Sequence, residues 1–216
     1  MELQKVVKIL SETHQNGLHF DLQFDNAYQL LIAALLAAQA SDESVNEITK
    51  EFFRRFPSPE TVAEADVEAL EKAIYPVNFY KTKAKRLKEC CQVLVEKYHG
   101  EVPSTVEELT KLPGVGKKTA SMVILGAFGQ PAVVVDRHVL RVLSRLGFEY
   151  KDADTAEEEI RQLLPPEYWG LLSYSFMRHG KTICLARKPL CEKCPLKDCC
   201  PSSTATASDG DEREGI

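Results

Sequence analysis

The stretch Leu112-Pro113-Gly114-Val115-Gly116-Lys117-Lys118-Thr119-Ala120 restricts this chain more than any other. Pro113 with Gly114 and Gly116 makes a tight hairpin, because glycine takes positive φ readily and lets another backbone come close. From Lys117 to Phe128 the apolar residues Ala120, Val123, Ile124 and Ala127 recur at helical spacing, so the hairpin opens into a helix. A glycine hairpin at a helix start leaves N–H groups and the positive end of the helix dipole pointing outward. That is a phosphate site, supplied by the backbone of Gly114, Val115, Gly116 and Lys117.

Lys118 falls in the first turn of that helix. A cation there has the wrong sign for the dipole, which disfavours its charged form. Lys117 adds like-charge repulsion, and any burial acts in the same direction. A free lysine titrates near about 10.4, so an amine nucleophile at neutral pH needs such pressures. Asp136 follows the apolar run Val133-Val134-Val135 and stands where another helix is expected to start. A carboxylate at a helix start stays ionised and can cap it.

The rest of the pattern is helical throughout, with no strand signature of any length, so the fold class is all-α. Residues 2–15 read as an amphipathic helix with Leu3, Val6, Val7, Ile9 and Leu10 as its stripe. Residues 16–25 read as polar and irregular, and Asp25 or Asn26 as the cap of a helix from Tyr28 to Ala38. That helix is apolar on nearly all sides and is expected at the centre of its domain. Lys81 to His99 reads as a long helix closed by Gly100. Its cations Lys81, Lys83, Lys85 and Arg86 are either a solvated face or a track for phosphates. After Asp136, the residues Val139, Leu140, Val142 and Leu143 form a stripe, with Arg137, Arg141 and Arg145 supplying charge.

Seven cysteines are unevenly spread: Cys90 and Cys91 are neighbours on a helix, and five lie between Cys184 and Cys200. The adjacent pair reads as buried small hydrophobes. Cys184, Cys191, Cys194 and Cys200 give C-x6-C-x2-C-x5-C, a spacing at which four thiolates can hold zinc or a four-iron cube. Spacing alone does not choose between these.

The formal charge is −5, of which Asp209, Asp211, Glu212 and Glu214 against Arg213 contribute −3. A polyanionic partner would therefore be met by a local basic patch and not by the whole field. The longest apolar run, Leu30 to Ala38, has nine residues and is too short to span a bilayer. Met1 to Lys5 lacks the sections of a signal peptide. A soluble, intracellular, monomeric protein with no membrane partner is expected.

Taken together, Leu112–Ala120, Lys118 and Val135-Asp136-Arg137-His138 resemble the signature of the endonuclease III family of base-excision DNA glycosylases, and four matches run in the family's order over roughly residues 1–200. The resemblance implies that Lys118 forms a Schiff base with the sugar C1′ and that Asp136 assists. It implies that Gln39 enters the DNA stack beside an extruded nucleotide, and that Val77-Asn78-Phe79-Tyr80 is a second intercalating loop. The family usually has Gly-Leu or Gly-Tyr where this chain has Asn78-Phe79, so Phe79 is either a wedge between bases or a core aromatic. The family's cysteine spacing implies a [4Fe–4S] cluster on Cys184, Cys191, Cys194 and Cys200, with Cys199 outside it. The cluster would fix a basic loop bearing Arg187 and Lys188 for DNA phosphates, and His138 is a phosphate or structural contact.

The fold implied has two helical lobes with a cleft between them, across which Lys118 and Asp136 face each other. Residues 22–131 form one lobe, 1–21 with 132–200 the other, and 201–216 a disordered tail. The function implied is a bifunctional glycosylase and AP lyase removing oxidised pyrimidines from double-stranded DNA with a damaged base or abasic site. Its location would be cytoplasmic and nucleoid-associated. A monofunctional mismatch glycosylase for thymine, uracil or adenine is one alternative. The adenine type carries a catalytic glutamate in the helix before Gln39, and Ala27 to Ala38 contains no carboxylate. A non-catalytic helix-hairpin-helix DNA-binding protein is another, which would leave Lys118 and Asp136 without a purpose. The purified protein is expected to be brown with about four irons per chain; colourless protein holding one zinc would overturn the cluster.

Overall fold

The computed structural model describes residues 2–204, and all regular structure among them is helical. The first helix, α1 (Leu3–Thr13), buries Leu3, Val6, Val7 and Leu10. Ile9, expected on the same stripe, is 39% exposed instead. Positions 3, 6, 7 and 10 repeat at helical spacing, and position 9 falls off their face.

Contacts divide the chain into two compact units, and the first to complete itself is Phe20–Gln130. Its centre is α2 (Ala27–Leu36), begun by Asn26, whose side chain accepts from the Gln29 N–H. Every residue from Leu30 to Leu36 is buried, because α2 is packed by α3 (Asp42–Arg55), α6 (Tyr80–Tyr98) and α8 (Lys117–Ala127). α2 stops two residues short of the expected Ala38 and turns through Gln39, at φ 58°. Ser41 then caps α3 by accepting from the Ser44 N–H. Two short helices, α4 (Pro59–Glu64) and α5 (Val67–Ile74), lie against α6. Cys90 and Cys91 are fully buried on α6, and burial pushes the Cys90 thiol up to about 12. Thr105 caps the single turn α7 (Val106–Leu109), which delivers the chain to the hairpin before α8. Residues 16–25 are less polar in place than in sequence, since Phe20 and Leu22 are both buried.

The other unit joins the residues up to His19 with those from Pro131. Here α9 (Arg137–Arg145), α10 (Ala153–Leu163) and α11 (Trp169–Thr182) follow, with α11 packed against both α1 and α9. The run Ala132 to Val135 is buried without regular structure. Its backbone is tied in by the Val134 N–H, which donates to Ser173 Oγ at 2.8 Å, while Ser173 donates to the Trp169 carbonyl. That bond fixes the segment leading directly into Asp136. Of the tail expected to be disordered, 205–216 lie outside the described residues, whereas Ser202 and Ser203 line the cavity of the cysteine loop.

Replacing Ser173 by Ala strands the buried Val134 N–H and is expected to cost about 1–3 kcal/mol. Urea denaturation checks this, and an unchanged midpoint would mean that the Val134 segment is held by packing alone.

Candidate active site

The hairpin folds as the sequence reading expects. Gly114 takes φ 82° and the Val115 N–H donates to the Leu112 carbonyl at 3.1 Å. Gly116 is the cap residue of α8 and offers no side-chain hydrogen bond to the helix start. Its φ of −89° is open to any residue, and a Cβ added there would meet nothing within 4 Å. Nothing inside the chain therefore requires glycine at 116; the open backbone suits a group that approaches from outside. Val115 is buried, so only its backbone is offered. Lys118 is exposed on the first turn of α8.

Beside the hairpin, Arg86 runs past Gly114, its Cδ 3.4 Å from where a Gly114 Cβ would lie. Lys81, Lys85 and Arg86 are exposed, but Lys83 is not: it is 8% exposed and belongs to the core of its unit. The expectation that Lys83 either tracks phosphates or lies on a solvated face is thus overturned. Its Nζ donates to the carbonyls of Leu36 and Ala38, both at 2.7 Å, and burial holds its pKa below the usual lysine value. Gln39 is exposed, and the core alternative for Phe79 is excluded by its 65% exposure. Asn78 Nδ2 donates to the Gln39 carbonyl at 2.9 Å, which joins the two loops that carry Gln39 and Phe79.

Within the other unit, Asp136 caps α9: its Oδ1 accepts from the N–H groups of His138 and Val139 at 2.8 and 2.9 Å. Oδ2 has no hydrogen-bond partner among the described residues. His138 is half-buried, with Nδ1 3.1 Å from the Arg141 guanidinium and Nε2 3.4 Å from that of Arg137. Burial, and then these cations with Lys181, hold its pKa below the ordinary histidine value against the pull of Asp136.

Cys184, Cys191, Cys194 and Cys200 line a single cavity, none of them in a disulfide. The cavity has no carboxylate in its lining and includes the cations Arg145 and Lys197, a setting for soft anionic ligands. Among the described residues, no three His, Cys, Asp or Glu side chains gather closely enough for a single metal ion. Four thiols around a common space are a donor set that suits a thiolate-bound metal group. Cys199 is exposed and its thiol turns to the Leu196 carbonyl. Arg187 and Lys188 are exposed on the same loop, Lys188 at φ 52°.

Residues 32–166 match the HhH-GPD superfamily base excision DNA repair proteins. The chain belongs to that family. It is 40% identical over 192 residues to endonuclease III of Synechocystis sp. (strain ATCC 27184 / PCC 6803 / Kazusa), covering 88% of each chain. A trapped endonuclease III–DNA covalent intermediate, an estranged-adenine complex, superposes with a TM-score of 0.90 at 35% identity, over 95% of this chain and 97% of that one. A thermostable thymine-DNA glycosylase follows with a TM-score of 0.83 at 26% identity, over 92% and 95%. No helix among the described residues is long and apolar enough to cross a membrane.

Two side chains on α9 escape the sequence reading of this superfamily member. Arg141 donates to the carbonyls of Cys184 and Gly180, and Arg145 to the Cys184 thiol and to the Leu185 and Ala186 carbonyls. They hold the start of the cysteine loop. Their spacing of four residues put them on one helix face, which was the available signal. Arg145→Lys keeps the charge and loses the planar fork. Faster amide exchange at Leu185 and Leu190 is expected by hydrogen–deuterium exchange, and unchanged protection would show that the loop does not depend on Arg145.

Proposed function

We propose that this chain is a bifunctional DNA glycosylase and AP lyase acting on oxidised pyrimidines in duplex DNA. The observation that carries this is Lys118. It is an exposed amine on the first turn of the hairpin helix, in a chain that aligns over 95% of its length with a relative caught covalently on DNA. The backbone of the hairpin at the start of α8 holds a phosphate of the bent strand. Gln39 and Phe79 enter the stack where the damaged nucleotide leaves it.

Deprotonated Lys118 Nζ attacks C1′, the C1′–N bond breaks, and the base departs with the bonding electrons and gains a proton. Ring opening of the sugar leaves a protonated imine between Nζ and C1′. The imine acidifies the C2′ protons; one is lost, its electron pair forms the C2′–C3′ double bond, and the 3′ phosphate leaves. Water then hydrolyses the imine and frees the lysine. Asp136 stabilises the positive charge that develops at the sugar, and its Oδ2 is the oxygen not already used in capping α9. His138 fixes Arg137, itself exposed, for a phosphate contact, and Arg187 and Lys188 make others.

Cys184, Cys191, Cys194 and Cys200 hold a [4Fe–4S] cluster, supported by the cavity that their four thiols share and by the family spacing. Its part is structural: it fixes the loop that bears Arg187 and Lys188.

Borohydride trapping on duplex DNA containing an oxidised pyrimidine should give a covalent adduct that Lys118→Ala abolishes. Asp136→Asn keeps a good helix cap, and should slow base removal by roughly a hundredfold with DNA binding retained. Base loss without an adduct would make the chain a monofunctional glycosylase. Neither adduct nor base loss, on mismatches as well as on oxidised bases, would leave only a DNA-binding role.

A further inference from the structure

Gln39 and Phe79 share an unusual backbone: φ is 58° at one and 59° at the other. The left-handed region is uncommon for residues other than glycine, asparagine and aspartate, and a bulky aromatic there is an outlier. Such conformations persist only where neighbours over-determine them. Both side chains are nonetheless exposed, Phe79 by 65%, so the burial of neither prong holds its turn.

The restraint comes from the other end of each turn. The carbonyls of Leu36 and Ala38 accept from Lys83 Nζ at 2.7 Å, and the carbonyl of Gln39 accepts from Asn78 Nδ2 at 2.9 Å. Leu36 is the last residue of α2, where carbonyls lack helical partners and the dipole favours a cation. Both donors come from residues 78–83, the stretch that presents Phe79 and begins α6. The turn of Gln39 is therefore held by the turn of Phe79. Lys83 lies on the buried face with Ala84, Leu87, Cys90, Cys91 and Leu94, so its amine is committed to these carbonyls and is not available to a phosphate.

We propose that Asn78 and Lys83 are positioning residues that clamp Gln39 and Phe79 into one preformed two-pronged wedge. This rests on the reading of the chain as a glycosylase that extrudes a damaged nucleotide. A wedge ordered before binding loses less conformational freedom when it enters the stack. Asn78 and Lys83 thereby set how readily the duplex is opened, without touching the reacting atoms.

The test uses the full chain and a duplex carrying 2-aminopurine opposite an uncleavable abasic analogue, whose fluorescence rises when that base is unstacked. Single-turnover excision of an oxidised pyrimidine is measured beside it. For Asn78→Gly and Lys83→Met, excision should fall roughly tenfold to a hundredfold, the scale on which a small misplacement acts. The fluorescence rise should shrink in step, while the affinity for undamaged duplex and the melting temperature stay near those of the parent. A general loss of structure would lower the melting temperature and the affinity as well. Parental excision and fluorescence in both variants would overturn the clamp. If Lys83→Met fails to fold, Asn78→Gly decides alone, since its side chain is exposed. A parent chain that raises the fluorescence but excises nothing would overturn the glycosylase reading, and the variants' fluorescence would still decide the clamp. A parent chain that does neither would overturn both.

Discussion

An α-helix leaves four N–H groups at its start and four carbonyls at its end without partners inside the helix, and the residues proposed to meet DNA lie at such ends. Gln39 follows the end of α2, Phe79 precedes the start of α6, Lys118 lies in the first turn of α8 and Asp136 caps α9. The ends are treated differently. The last carbonyl of α2 is satisfied by a buried ammonium, and two of the first N–H groups of α9 by a carboxylate oxygen. At the start of α8 the cap residue, Gly116, has no side chain to give. An end that the protein satisfies for itself becomes a rigid support. An end left open can bind an anion from outside.

The same contrast accounts for how an acidic chain can bind a polyanion. A net charge of −5 offers no general attraction, so each cation must act where it stands. Several are spent inside the protein: Lys83 on α2, Arg141 and Arg145 on the loop that starts at Cys184. Of those that remain exposed, Lys81, Lys85 and Arg86 share α6 with Lys83, Arg137 shares α9 with Arg141 and Arg145, and Arg187 and Lys188 sit on the loop whose start those two arginines hold. Counting basic residues overstates the charge available to DNA, and only the hydrogen bonds to backbone carbonyls separate the two groups.

That separation also marks what the sequence could and could not convey. Periodicity gave the helices, since α2 had to be central and the glycine hairpin had to open into α8. One cap was legible as well, Asn26 being one of the two residues named for the start of α2. Side-chain direction was not legible for long flexible residues. Lys83 reads as one more cation in a basic run until its register is set against Ala84, Leu87, Cys90, Cys91 and Leu94, which places it on the buried face. Phe79 was left between two readings: an aromatic beside apolar neighbours reads equally well as wedge or core, and its exposure on a left-handed turn decides against the core. Ile9 shows the limit of composition, being apolar but one step off its stripe.

Lys83 is the hardest of these residues to explain by stability alone. Burying an ammonium is costly, and a buried charge can often be replaced by an apolar side chain of similar volume with no loss of stability. Two carbonyls and the negative end of α2 offset that cost here, yet methionine would fill the same space without incurring it. What methionine would not do is hold the carbonyls of Leu36 and Ala38 in fixed directions, and so fix the turn in which Gln39 stands. A lysine whose amine faces only backbone, beside a strained turn with an exposed polar side chain at its tip, is better explained by the direction it imposes than by the energy it adds.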